Sequence, residues 1–275
     1  MRMWKAHGLG NDYFVWEGES PLEPNMVQRI CHRHTGVGAD GLLEPVSSSR
    51  ADLGVRIWNP DGSIAEKSGN GLRIFAWWHV LRCAGKVDFT VDTGFDVVQC
   101  VVDKSTRQVQ VAMGKARFRP EEIPCTAPIW NEPYSVNGGE IFLWSVGMGN
   151  PHCVSFFEPF LELDSLDWRT WGAALEQDPR FPNRSNVQFA RVLSPSNIEI
   201  RIWERGAGET AASGSSSCAV AAVARKMGWT DSEVTVTMPG GELSVALSEG
   251  YDVVLTGPVA EIGTIRLSEN WLVSA

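Results

Sequence analysis

Two short polar runs, Ser68-Gly69-Asn70-Gly71 and Ser213-Gly214-Ser215-Ser216, each stand directly before a long apolar stretch. A run of this kind opens a helix. The unpaired N–H groups and positive dipole end of a helix start form a ready anion site, and glycine lets a ligand carboxylate come close to the backbone. Serine is also a good N-cap, so both hydroxyls have a structural role open to them. If the two helix starts face one another, they can grip a single carboxylate. A second chemical cluster is Trp203-Glu204-Arg205-Gly206-Ala207-Gly208-Glu209-Thr210, which places an acid, a base and two glycines just ahead of the second run. Asn11, Asn59, Asn150 and Asn186 sit in or beside glycine- or proline-flanked turns. Arginine and N–H groups take carboxylates while Glu and Asn oxygens take ammonium groups, so this set suits a zwitterion. Glu204 and Arg205 can equally form a solvated ion pair. His152, two residues after Asn150, is a candidate proton carrier, though a lone histidine in a loop is more often structural.

The elements that would position these residues occur twice. Arg56-Ile57-Trp58 recurs as Arg201-Ile202-Trp203, and after nine intervening residues in each copy comes Ser-Gly, Ser68-Gly69 and Ser213-Gly214. Upstream, Gly8-Leu9-Gly10-Asn11 is echoed by Gly147-Met148-Gly149-Asn150. Each helical stretch runs to a glycine, Gly85 or Gly228, and then into alternating β-type residues, Val87–Val91 and Val234–Thr237. Each half therefore reads as strands, one helix, then strands. Leu72, Ile74, Phe75, Ala76, Trp77, Trp78, Val80 and Leu81 cover nearly every face of the first helix, and Cys218–Ala224 those of the second. A helix apolar all round is buried. The expected fold class is α/β (α+β), with two pseudo-symmetric domains, each a barrel-like, mostly antiparallel sheet around a central helix. Pro120, Pro124 and Pro128 put the boundary near 117–128, giving halves 1–117 and 118–263, with a C-terminal strand near 264–275 returning to the first.

The 275 residues, 43% apolar and 21% charged, suit a globular protein of two medium domains. A net charge of −9 without a basic run argues against nucleic acid. No apolar stretch approaches the roughly 20 residues a membrane span needs, nor does the N-terminus carry a secretion-type apolar region, so a cytoplasmic location without membrane attachment is expected. The six cysteines are scattered with no C-x-x-C and read as free thiols. Cys31-His32-Arg33-His34 has no second ligand pair, and no metal is expected.

His7-Gly8-Leu9-Gly10-Asn11-Asp12, the turn His34–Gly41, Asn59-Pro60-Asp61-Gly62-Ser63, Gly149-Asn150-Pro151-His152 and above all Glu204–Thr210 resemble the diaminopimelate epimerase family over nearly the whole chain. The resemblance implies an isomerase of amino acid and lysine biosynthesis that epimerises an α-carbon, LL- to meso-diaminopimelate, with neither pyridoxal phosphate nor metal. It implies that Asn11, Asn59, Asn150, Asn186, Glu204 and Arg205 hold the amino acid ends of the substrate. The backbone around Gly69, Asn70, Gly214 and Ser215 would take the carboxylate beside the reacting carbon, and His152 and Glu204 would assist proton transfer. The only partner implied is this small molecule, beyond pairing of two copies as a homodimer along an exposed edge strand. The resemblance also implies cysteine bases at the two helix starts, where this chain has Ser68 and Ser213. An alcohol is a much weaker acid than a thiol, which predicts a severe loss of two-base activity. Lys67 stands where the family has an apolar residue and would activate Ser68 if buried. Lys67, Ile74, Ser216 and Ser217 also depart from the family pattern, which favours a divergent branch. Two other readings stay open: a different isomerase using Lys67, His152 or Glu204, and a binding protein without catalysis.

Overall fold

The computed structural model describes residues 1–83, 86–137, 139–268 and 270–271. Gly85, expected to end the first central helix, lies outside the described residues, as do the last four positions of the expected C-terminal strand. The chain divides into two compact units, Met1–Val111 with Gly257–Ala275, and Ala112–Thr256.

The first unit contains strands β1 (Arg2–Gly8), β2 (Asn11–Trp16), β3 (Gly41–Val46), β4 (Leu53–Trp58), β5 (Ile64–Ala65), β6 (Asp88–Asp92), β7 (Val97–Asp103) and the first half of β8 (Gln108–Lys115), with helices α1 (Pro24–Cys31) and α2 (Gly69–Arg82). β1 and β2 form an antiparallel hairpin, β2 runs parallel to β3, and β3 is antiparallel to β4. β4 then pairs antiparallel with β5 and parallel with β6, and β6, β7 and β8 continue as an antiparallel meander.

In the second unit the strands are β9 (Trp130–Val136), β10 (Gly139–Gly147), β11 (Pro151–Phe157), β12 (Asn186–Ser194), β13 (Asn197–Glu204), β14 (Gly208–Thr210), β15 (Glu233–Met238), β16 (Gly241–Leu247) and β17 (Asp252–Pro258), with helices α3 (Trp168–Glu176) and α4 (Gly214–Lys226). Its pairings repeat those of the first unit one for one. β10–β11 is antiparallel, β11–β12 parallel, β12–β13 antiparallel, and β13 joins β14 antiparallel and β15 parallel before the β15–β16–β17 meander. The chain finishes by returning to the first unit with β18 (Ala260–Arg266), antiparallel to β1, as β9 lies antiparallel to β10.

Parallel neighbours cannot be joined by a tight turn and need a crossover, usually helical. Among the described residues each unit has two parallel pairs joined through helical crossovers, which adds an outer helix to the central one that the sequence pattern suggested. α1 is the β2–β3 crossover and α3 the β11–β12 crossover, both amphipathic and packed on one face only. α1 buries Val27, Ile30 and Cys31 against Phe14, Leu42 and Trp58, and α3 buries Trp168, Trp171 and Leu175 against Cys153, Val187 and Phe189. α2 and α4 are the crossovers of the other pairs and lie enclosed by sheet. α2 packs on β1, β2 and β7, and α4 on β10, β11, β12, β13, β15 and β16. α4 is buried from Ser216 through Ala224. α2 is enclosed less completely than its composition implied, since Leu81 is 44% exposed and Trp78 half-buried, with its indole N–H donating to Glu17. Conversely Arg73, which a sequence reading would send to solvent, is fully buried.

All six cysteines are free thiols, with Cys153 and Cys218 fully buried. Burial pushes the Cys153 thiol up to about 12. Among the described residues no helix is long and apolar enough to cross a membrane.

Trp168 is fully buried in the outer core of the second unit, whereas Phe160 is 82% exposed. Trp168→Ala should cost about 3–5 kcal/mol in urea unfolding, and Phe160→Ala less than about 0.5 kcal/mol.

Candidate active site at the two helix starts

Ser68 and Ser213 are the N-caps of α2 and α4, both with extended backbone, φ −138° and −145°. Ser68 Oγ accepts from Gly71 N–H at 3.0 Å and Ser213 Oγ from Ser216 N–H at 3.4 Å. The capping role is therefore filled in both. The N–H groups of Gly69, Asn70, Gly214 and Ser215 lie in the first helical turn, where the helix offers no acceptor of its own.

In the first unit the polar side chains form a hydrogen-bonded cluster around Asn70, Asn11 and Asp40, with the Ser68–Tyr13 pair at the same helix start. Ser68 Oγ also meets the phenolic oxygen of Tyr13 at 3.2 Å, a neighbour the sequence did not single out. Asn70 Nδ2 donates to Asn11 Oδ1 at 3.0 Å, and Asn11 Nδ2 donates to Asp40 Oδ2 at 2.9 Å. Buried Arg73 donates to Asn70 Oδ1 at 2.8 Å and to Gly69 O at 3.3 Å. Behind Asp40, Arg33 bridges Asp40 and Asp12 at 2.6 and 2.9 Å, and Lys5 pairs with Asp12 at 2.7 Å. Burial alone would raise the Asp12 carboxyl, but hydrogen bonds and charge from Lys5 and Arg33 outweigh it and hold it below the usual range. Asn59 is not part of this cluster. Its side chain donates to Ser63 Oγ at 2.9 Å and closes its own turn. Lys67 is paired with Asp96 at 2.8 Å, so its ammonium is engaged by a carboxylate. That hydrogen bond in turn lowers the Asp96 carboxyl.

In the second unit the equivalent cluster is neutral. His152 Nε2 bonds Asn150 Oδ1 at 2.9 Å, His152 Nδ1 bonds Gln188 Nε2 at 3.1 Å, and Gln188 Nε2 donates to Ser216 Oγ at 3.0 Å. Asn186 pins the backbone: Nδ2 donates to Pro151 O at 3.1 Å and Oδ1 accepts from Arg205 N–H at 3.1 Å. The Arg205 guanidinium is exposed and donates to Asn183 O at 3.2 Å, while Glu204 Oε1 accepts from Thr210 Oγ1 at 3.0 Å. The loop between them is shaped from behind by Glu176, which is buried and accepts from Gly206 N–H at 2.8 Å, Trp203 Nε1 at 2.8 Å and Arg184 at 3.0 Å. Gly206 and Gly208 have φ of 78° and 76°, a conformation side chains resist. His152 is fully buried, and burial pushes its imidazole down to about 3. With both nitrogens engaged it is a neutral positioning group near pH 7 and holds no extra proton to deliver.

The sequence profile of the family described as diaminopimelate epimerase matches residues 3–119 and 144–262, segments that include both helix starts and both clusters. The chain belongs to the diaminopimelate epimerase family. It is 42% identical to diaminopimelate epimerase 2 of Nostoc sp., covering 98% of this chain and 96% of the relative. It is 40% identical to a diaminopimelate epimerase of Pelotomaculum thermopropionicum, covering 95% and 97%. Among solved structures, a PhzF-family phenazine biosynthesis protein of Bacillus anthracis superposes with a TM-score of 0.71 at 14% identity, covering 98% of this chain and 99% of that one. A hydroxyproline epimerase of Agrobacterium vitis gives 0.69 at 14% identity, covering 100% and 98%. At that identity the structural likeness speaks for the fold, and membership in the family rests on the sequence match.

Two measurements check the site as built. Ser68→Ala should cost about 1 kcal/mol in urea unfolding, the usual loss of a cap, with Ser213→Ala less because its bond is longer. His152 in the native chain refuses a proton that the unfolded chain accepts near pH 6.5, so stability falls as the pH drops from there toward about 3. His152→Gln should flatten that acid loss relative to the native chain, by up to one proton in the slope of stability against pH between 6 and 4.

Proposed function

We propose that this chain is a cofactor-independent epimerase acting at the α-carbon of diaminopimelate, LL to meso, with the proton transfers seated at the starts of α2 and α4. The observation that carries the reading is the family match spanning both duplicated helix starts, whose polar neighbours, Asn11 and Asn70 in one unit and Asn150, Asn186 and Arg205 in the other, are built into connected hydrogen-bond networks. In this reading the first-turn N–H groups of Gly69, Asn70, Gly214 and Ser215 hold the carboxylate beside the reacting carbon. Negative charge that develops on that group as the α-proton leaves is stabilised by donors already in place. Arg205 and the asparagines hold the distal amino acid end, and Glu204 lies beside them.

In this reading Ser68 and Ser213 stand where the family resemblance implies the two proton-transferring groups. Each hydroxyl already accepts a cap bond, and its acidity lies far from neutral, so its base form is scarce and turnover is slow. The other candidate bases are worse placed by chemistry. Lys67 is engaged by Asp96 at 2.8 Å, and His152 is a buried neutral imidazole. A positioned acid or base of matched acidity contributes roughly 10²–10⁴-fold to rate. The paired change Ser68→Cys with Ser213→Cys should therefore raise α-deuterium incorporation into diaminopimelate in deuterium oxide by at least about 10²-fold over the native chain. Measurable binding without exchange in either form would identify a binding protein. No binding and no exchange in either form would sink the assignment.

A further inference from the structure

We propose that Asp40 and Arg73 are positioning residues that fix the polarity of the Asn70–Asn11 pair, so that both side-chain amides present N–H donors to a bound ligand and select a carboxylate there. The step from donor to carboxylate rests on the function proposed above. The polarity itself follows from the ends of the chain of bonds. Arginine can only donate, so the atom of Asn70 that meets Arg73 Nη2 at 2.8 Å has to be the oxygen. A carboxylate can only accept, so the atom of Asn11 that meets Asp40 Oδ2 at 2.9 Å has to be the nitrogen. Between them Asn70 Nδ2 donates to Asn11 Oδ1 at 3.0 Å. Turning either amide over would set donor against donor at Arg73 or acceptor against acceptor at Asp40. What each nitrogen keeps uncommitted is its second hydrogen, a donor.

Both ends are themselves held. Arg73 is fully buried, and a Cβ at Gly8 would come within 2.8 Å of its Nη2, so the backbone of β1 is kept bare to seat it. Asp40 is held by Arg33 and accepts from Asp12 N–H at 3.0 Å. The second unit offers a contrast. Its chain Ser216–Gln188–His152–Asn150 consists of a hydroxyl, two amides and an imidazole, each able to donate or accept, and it can reverse as a whole. Of the repeat-related pair Asn11 and Asn150, the one held in a fixed sense is Asn11.

The lock is read on the ligand-free full chain from side-chain amide proton exchange by NMR. One proton each on Asn11 and Asn70 should exchange at least about tenfold more slowly than those of exposed Asn131. Asp40→Asn should abolish the slowing at Asn11, and Asp40→Glu, which keeps a group that can only accept, should restore it in part. Exchange as fast as Asn131 in the native chain, or slowing that survives Asp40→Asn, overturns the proposal. The ligand half uses diaminopimelate against lysine, which lacks one of its two carboxylates. Native protein should favour diaminopimelate, and Asp40→Asn should cut that preference about tenfold with the melting temperature little changed, an effect a purely structural residue would not have. An unchanged preference with the slowing lost overturns the carboxylate selection. Failure of the native chain to bind diaminopimelate, with both protons still slowed, overturns the proposed function and leaves the lock supported by exchange alone.

Discussion

A helix whose every face is apolar can exist in water only if something wraps it, and that requirement organises each unit of this protein. α4 is buried from Ser216 to Ala224, and α2 from Gly69 to Trp77. Each is the crossover between two parallel strands, β4 to β6 or β13 to β15, so the sheet that closes around the helix is built from the strands the helix connects. Enclosure leaves the first turn as the place where backbone polarity must be satisfied by something other than the helix. The serine caps meet part of that need, and the asparagine, tyrosine and glutamine side chains gathered there come from the enclosing strands. A polar, hydrogen-bond-rich helix start is thus a consequence of the enclosure, and it occurs twice because the pairing scheme does.

What could be read in the sequence was local. Arg-Ile-Trp followed by Ser-Gly is a strand entering a cap entering a helix, and the chemistry of that transition lies within a dozen residues. The central helices, their caps and the duplicated order of elements were legible for that reason. The outer helices α1 and α3 were not, because eight or nine residues with one apolar stripe resemble a loop with scattered Val, Ile and Trp. Pro24 at the first turn of α1 was the available signal. Arg73 was invisible because a charge in an apolar run reads as a surface position, and its bonds to Asn70 and Gly69 depend on the fold. Tyr13 and Gln188 depend on strand register. Tyr13 lies opposite Gly41 and His152 opposite Asn186 in the two parallel pairs, and the sequence gives no sign of which residue a parallel neighbour will oppose.

Register also shows where the two copies have diverged. Aligned on their strands and helices, Tyr13 corresponds to His152, Gly41 to Asn186, Leu43 to Gln188 and Gly71 to Ser216. Gly41 has no room for a side chain, since a Cβ there would lie 2.4 Å from Trp58 O and 2.6 Å from the Tyr13 ring. In the first unit Tyr13 occupies that space and puts its hydroxyl on Ser68. In the second unit the smaller imidazole leaves room for Asn186, and Gln188 reaches Ser216 instead.

The two serines are consequently unequal in the donors they receive. A phenol is a stronger acid than an aliphatic alcohol, so the Tyr13–Ser68 contact is best made with Tyr13 donating. Ser68 Oγ then receives two donors, the phenol and Gly71 N–H. Ser213 Oγ receives the longer bond from Ser216 N–H, while the side-chain donor of its unit, Gln188, is directed to Ser216 Oγ one turn on. The same duplicated cap is therefore built differently in the two copies, with the phenol and a backbone N–H on Ser68 and one longer backbone bond on Ser213, because Tyr13 and Gln188 stand at different positions in their strands.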